Sequence, residues 1–149
     1  MRTLIVLNVA ALLFGRGALA AEKKVKIENL PPAVQKTVKQ EIQNATLVGL
    51  SSEVEKGKTV YELETKKPNG QTRDLMIDTA GAIFSVEEEV GLESIPAAAK
   101  SAIEKAAKGG RVTRVETVTE GKVVTYEAAI TKSGKKSSIT VKSDGGIVN

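Results

Sequence analysis

Two rhythms of apolar positions alternate along this chain. Between residues 31 and 44, Ala33, Val34, Val38 and Ile42 recur at the spacing of one helix face. Pro31 and Pro32 suit the start of that helix, because proline's fixed φ fits the first turn and its missing N–H would have no partner there. Asn44 is the predicted stop. The pattern then changes to period two, as in strands with one buried face. Val48, Leu50 and Val54 mark a first strand, closed by a turn over 55–58. A second, over 59–66, sets Tyr61, Leu63 and Thr65 against Val60, Glu62, Glu64 and Lys66. Pro68-Asn69-Gly70 turns the chain into a third, where Arg73, Leu75 and Ile77 oppose Asp74, Met76 and Asp78. After Ala80-Gly81 a fourth runs over 82–90.

The same order returns 64 to 65 positions later. Leu30-Pro31-Pro32-Ala33 is answered by Ile95-Pro96-Ala97-Ala98, and Asn69-Gly70 by Ser133-Gly134. Gly57-Lys58 before Tyr61-Glu62 is answered by Gly121-Lys122 before Tyr126-Glu127, with one extra residue. Asp78-Thr79-Ala80-Gly81-Ala82-Ile83 is answered by Lys142-Ser143-Asp144-Gly145-Gly146-Ile147. The second helix opens at Pro96, carries a narrow stripe of Ala99, Ala102, Ile103 and Ala106, and ends at Gly109-Gly110. Its small side chains predict a closer approach to whatever it packs on. Strands follow through Val124, Tyr126, Ala128 and Ile130, then Ile139 and Val141, with a short last strand at Ile147 and Val148. The register of 111–119 stays open, since the helix end implies an offset of 65 and Gly121 one of 64; a bulge is one explanation. The expected fold is therefore α+β: two tandem helix-plus-four-strand repeats, residues 21–90 and 91–149, with an antiparallel sheet and both helices on one of its faces.

Composition narrows the chemistry. The 149 residues include no cysteine and no histidine, which excludes disulfides, a thiolate nucleophile, a Ser-His-Asp triad and ordinary zinc, copper or haem sites. Residues 1–20 read as a cleaved secretory signal: Arg2 supplies positive charge, the apolar stretch covers 4–14, and Ala18-Leu19-Ala20 fits an A-x-A site. That stretch is too short for a membrane-spanning helix, which needs about 20 apolar residues, so no transmembrane anchor is expected and the protein is placed in the periplasm or outside the cell. Losing Arg2 and Arg16 reduces 22 basic residues to 20 against 18 acidic ones. The apparent basicity of the whole chain is thus mostly a property of the signal. With intermixed charges and only Tyr61, Phe84 and Tyr126 as aromatics beyond the signal, nucleic-acid binding is not expected.

Enzyme motifs are present by letter only. Ser133-Gly134-Lys135-Lys136 matches S-x-x-K but falls in a predicted hairpin, and Gly57-Lys58-Thr59 lacks the upstream glycine and the strand-to-helix setting of a phosphate loop. Neither enzymatic activity nor a cofactor is predicted.

The chain resembles the PepSY-like family of exported bacterial proteins, whose fold is similar to that of the β-lactamase inhibitor protein. The resemblance is carried by Leu30-Pro31-Pro32-Ala33-Val34, by Gly57-Lys58-Thr59-Val60-Tyr61-Glu62-Leu63-Glu64 and Asp78-Thr79-Ala80-Gly81-Ala82-Ile83, and by their counterparts around Tyr126 and Gly145. It implies a tandem helix-plus-sheet module that binds or inhibits a peptidase or another envelope protein.

The sheet face away from the helices is the expected binding surface. In the first repeat it gathers Glu62, Glu64, Asp74 and Asp78 around Met76; in the second it carries Thr125, Glu127, Ala129, Ser138, Thr140 and Lys142. The expectation is an acidic half and a near-neutral half, with Glu62, Glu64, Asp74, Met76, Asp78 and Glu127 exposed to a protein partner. The alternative is a hard cation such as calcium, or a structural role, using the same carboxylates. Glu87-Glu88-Glu89 lacks calcium-loop spacing and reads as a solvated strand end.

Overall fold

The computed structural model describes residues 22–148; the expected signal segment, residues 1–20, and Asn149 lie outside them. The elements are β1 (Lys23–Lys24), α1 (Pro32–Glu41), β2 (Thr46–Glu55), β3 (Lys58–Lys66), β4 (Thr72–Asp78), β5 (Ile83–Glu89), α2 (Ala97–Ala106), β6 (Arg111–Glu120), β7 (Val123–Lys132) and β8 (Lys135–Lys142). All eight strands form one antiparallel sheet in chain order. The architecture is α+β, with α1 linking β1 to β2 and α2 linking β5 to β6.

Alternation decides which side the helices cover. Leu50, Leu63, Leu75 and Val86 are cross-strand partners in one row, and α1 lays the fully buried Val34 and Val38 over it. The second core packs Ile95, Ala99 and Ile103 onto Val115, Ala128 and Val141. As its small residues predict, the α2 backbone comes within 8 Å of β8 at several positions, whereas α1 does so at fewer on any one strand. Tyr61 and Tyr126 pack at the edges of these cores with part of each ring exposed. An ion pair of 2.6 Å between Arg73 Nη1 and Glu41 Oε2 ties the C-terminus of α1 to β4.

Four strands follow α1 as expected, but three follow α2 among the described residues, and two other features differ from the expectation. A short β1, absent from the expectation, precedes α1 and pairs with β2. Its lysines carry no apolar alternation that would have marked it as a strand. Strand β5, expected to close the first repeat, pairs with β4 on one side and β6 on the other, so the halves share one sheet. After β8 the described residues add an isolated bridge between Val141 and Ile147, the short last strand expected there.

The open register is also explained. A bulge does occur in β6, between Val112 and Arg114, but β2 has one 65 positions earlier, between Leu47 and Gly49, so it changes no offset. Both following hairpins have two-residue turns. In the first, Lys56 and Gly57 both take positive φ; in the second, Gly121 alone does, at the first position. The two turns belong to different types, and glycine moves one place between them. The real shortening comes later, where Lys132 and Lys135 close around Ser133-Gly134 and the first half uses a longer 67–71 turn.

Gly81 and Gly145 show why the Asp/Lys-x-x-Gly turns recur. Both have positive φ, and a Cβ on either would stand 2.7 Å from a helix carbonyl, that of Ala33 or Ala98. Thr37 Oγ1 also donates to the Gly81 carbonyl at 2.7 Å. Glycine lets each turn touch the first turn of its helix.

Candidate functional site

The other sheet face has no helix over it among the described residues, and the strand register assembles its side chains. One row runs Gly49, Glu64, Asp74, Glu87, Val118, Thr125, Lys142. A second runs Ser51, Glu62, Met76, Ser85, Glu120, and a third joins Glu89, Glu116, Glu127 and Thr140. Glu62, Glu64, Asp74, Met76 and Glu127 therefore do share a face. Asp78 instead shapes the turn before β5, where its Oδ1 accepts the backbone N–H groups of Ala80 and Ala82, both at 2.9 Å.

The face is not the exposed surface expected. Glu62 is 9% exposed, Glu116 4% and Glu127 7%. Burial, then the charges of Glu64 and Asp74, pushes the Glu62 carboxyl up to about 8. Burial raises Asp74 to about 6 against the opposing pull of Arg114. It raises Glu87 to about 7, helped by the charge of Glu127, and Glu116 to about 7 despite Arg114. Glu127 is also raised by burial. Carboxyls placed on neighbouring strands repel when ionised, so each holds its proton longer.

One further expectation fails here. Glu87-Glu88-Glu89 is not a solvated strand end. Glu87 is half-buried between Asp74 and Val118, Glu88 pairs with Lys67, and Glu89 Oε2 accepts the Thr72 backbone N–H at 3.2 Å. The second half stays near-neutral, because β6 brings a cation as well as an anion to it. Glu116 and Arg114 enter from β6, where Arg114 forms an ion pair with Glu116 and donates to Thr72 Oγ1. Arg114 Nε and Glu127 Oε1 are buried without a hydrogen-bond partner among the described residues. The 65-residue offset, applied strictly, would have matched Arg114 to Gly49 and Glu127 to Glu62 and so placed them on this face.

At the β1 end, carboxylate oxygens of Glu22, Glu62 and Glu64 lie within 4.8 Å of one another. Three such oxygens are the kind of donor set a hard cation takes. Ser133 and Gly57, the residues of the two letter-only enzyme motifs, sit in hairpin turns away from this face.

No family model matches the chain, and no curated protein sequence matches it. Solved structures do. A candidate periplasmic protein of Bacteroides eggerthii superimposes with a TM-score of 0.65 at 18% identity, over 80% of this chain and 86% of its own. A DUF2874 family protein of Bacteroides uniformis gives 0.63 at 18% identity, over 80% and 86%. A BLIP-like protein of Bacteroides fragilis gives 0.58 at 19% identity, over 80% and 84%. The fold is BLIP-like. Among the described residues no helix is long and apolar enough to cross a membrane.

Proposed function

We propose that this protein is a non-enzymatic binding module of the periplasm or the cell exterior, built from two tandem PepSY-like repeats, that takes a cationic segment of a protein partner on its acidic sheet face. The observation that carries this reading is the set of carboxyls Glu62, Glu64, Asp74, Glu87, Glu116 and Glu127 gathered on one helix-free face around the single guanidinium of Arg114. A rigid sheet holds them at fixed spacing, and cations from a partner relieve their repulsion. The BLIP-like fold supports a protein-binding role, and the candidate periplasmic neighbour supports the location. Peptidase inhibition is the sharpest version of this reading. Tight β-lactamase inhibition is not carried over, because there are no cysteines to brace a scaffold and few aromatics to anchor an interface.

The test is capture from envelope extract by immobilised wild type and by a Glu62→Gln, Glu64→Gln, Asp74→Asn variant whose fold is verified by circular dichroism. A partner retained by wild type, released by salt and lost by the variant is expected. Equal recovery of every protein by both would refute the role of this face.

The Glu22, Glu62 and Glu64 oxygens favour a second reading, in which they hold calcium. It ranks below the first because Glu62, with its proton held up to about 8, must first lose that proton. Saturating calorimetric heat at a defined stoichiometry supports it; no heat at millimolar calcium removes it.

A further inference from the structure

Strands β4 and β8 correspond at an offset of 64, since the pairing of Ile77 with Ile83 recurs as that of Val141 with Ile147. Their outer edges are not alike. Along β4 the pairing with β5 continues through Met76, Leu75, Asp74 and Arg73. Along β8 it stops: Val148 N–H donates to the Thr140 carbonyl at 2.9 Å, and no described residue pairs with Ile139, Ser138 or Ser137 on that side. Alternate residues of a strand turn their backbone groups to the same side. Thr140 and Lys142 bond outward, to Val148 and Gly146, so Ser138 and Lys136 also turn N–H and C=O away from β7.

The second core is open along the same line. In the first half β5 sets Val86 beside Leu75, packed against the core under α1. In the second half Ile139 is only partly buried at the rim of its core, and Ile147 is 60% exposed. The charge beside this edge has one sign. Lys135, Lys136 and Lys142 are exposed, form no ion pair among the described residues, and stand in a stretch without acid from 128 to 143. Strand β5, which fills the matching place in the first half, carries Glu87-Glu88-Glu89, and Glu89 Oε2 accepts the backbone N–H of Thr72, whose counterpart 64 positions on is Lys136. The other outermost strand, β1, consists of Lys23 and Lys24, so two copies meeting at these edges would set lysine against lysine.

We infer that the outer edge of β8 takes an extended acidic segment of a protein partner as an added strand, antiparallel to β8 and in the place that β5 holds beside β4. This surface is separate from the acidic sheet face and recognises a segment of the opposite charge. In strand addition the backbone bonds, here to Lys136 and Ser138, supply affinity, and alternate side chains supply selectivity. An apolar residue beside Ile139 closes the rim of the core. On the helix-free side, acids beside Lys136 and Lys142 meet ammonium groups that have no counter-charge among the described residues. A basic segment meets like charge there instead.

Backbone-amide NMR of the protein tests this, with an acetylated and amidated peptide of the β5 sequence Ser85-Val86-Glu87-Glu88-Glu89-Val90 as the probe. The same peptide with lysine in place of each glutamate is the comparison arm. Saturating shifts over 136–140, with slowed hydrogen exchange at the Lys136 and Ser138 amides, are expected with the acidic peptide and not with the lysine one. Lys136→Glu combined with Lys142→Glu should weaken binding by about tenfold or more. Ser138→Pro, which removes an outward N–H but no backbone bond to β7, should do the same; where it fails to fold, the exposed double-glutamate variant decides. The Glu62→Gln, Glu64→Gln, Asp74→Asn variant should bind the peptide as wild type does, which separates this edge from the acidic face. No saturating shift at millimolar peptide, an equal response to the lysine peptide, shifts centred on β4 or the acidic face, or undiminished binding by the double-glutamate variant would overturn the inference. So would Lys136 and Ser138 amides already protected in the free protein together with concentration-dependent sedimentation, since the edge would then belong to a second copy.

Discussion

Glu62 is the most heavily penalised carboxyl on the face, and Glu62→Gln should stabilise the protein at neutral pH. An unfolded glutamate releases its proton near 4.5, whereas folded Glu62 keeps it up to about 8, because of burial first and then Glu64, Asp74, Glu22 and Glu53. Below the unfolded value both states are protonated and the residue has no pH-linked effect. Between the two values the folded state holds a proton that the unfolded state has lost, so stability falls as pH rises, by about 1.4 kcal/mol per unit. Above the folded value the loss levels off. At pH 7 the accumulated cost is about 3 kcal/mol, which glutamine, having no proton to lose, does not carry. Urea unfolding at constant ionic strength, from about pH 5 to pH 8, measures this directly. The variant should match wild type to within about 1 kcal/mol at the acidic end and exceed it increasingly towards neutrality. Parallel pH profiles, or a variant less stable than wild type at pH 7, would show that Glu62 is ionised and accommodated in the fold.

Other consequences follow from the packing and the charges. Leu63→Ala, beneath α1 and flanked by Leu50 and Leu75, should lose about 3 kcal/mol in denaturant unfolding. Gly81→Ala and Gly145→Ala should each lose about 2 kcal/mol or more, since both put a methyl group against a helix carbonyl at positive φ; a loss in one and not the other would break the equivalence of the two turns. Arg114→Met should lower stability by about 3 kcal/mol at pH 8 and by much less at pH 5, because Glu116 then stays buried without its counter-charge, and carboxyl NMR should show the Glu87 and Glu116 titrations moving further upward.

Much of the fold was legible because it depends on neighbours in the chain. Helix faces at Val34 and Val38, alternation at Leu63 and Leu75, and glycine turns at Gly57 and Gly81 obey short-range rules of periodicity and dihedral freedom. Glu62, Glu64 and Asp74 of the acidic face were legible for the same reason, since a hairpin of known length fixes which residues of β3 and β4 share a side.

The rest depends on pairings between segments far apart. Glu87 reads as part of a charged run until β6 lies beside it, and Arg114 and Glu116 have no face until the β6 bulge sets their register. A one-residue slip would turn each to the helix side, and nothing local to 111–119 forbids it. Lys23 and Lys24 show no strand periodicity because the β2 edge, not their own side chains, makes them a strand. The amino-acid order alone therefore determined the two helices and most of the strands. Only the assembled sheet decided that the two halves are continuous and that their carboxyls meet, buried, on one side, because burial and charge repulsion are properties of neighbours that the chain brings together across the sheet.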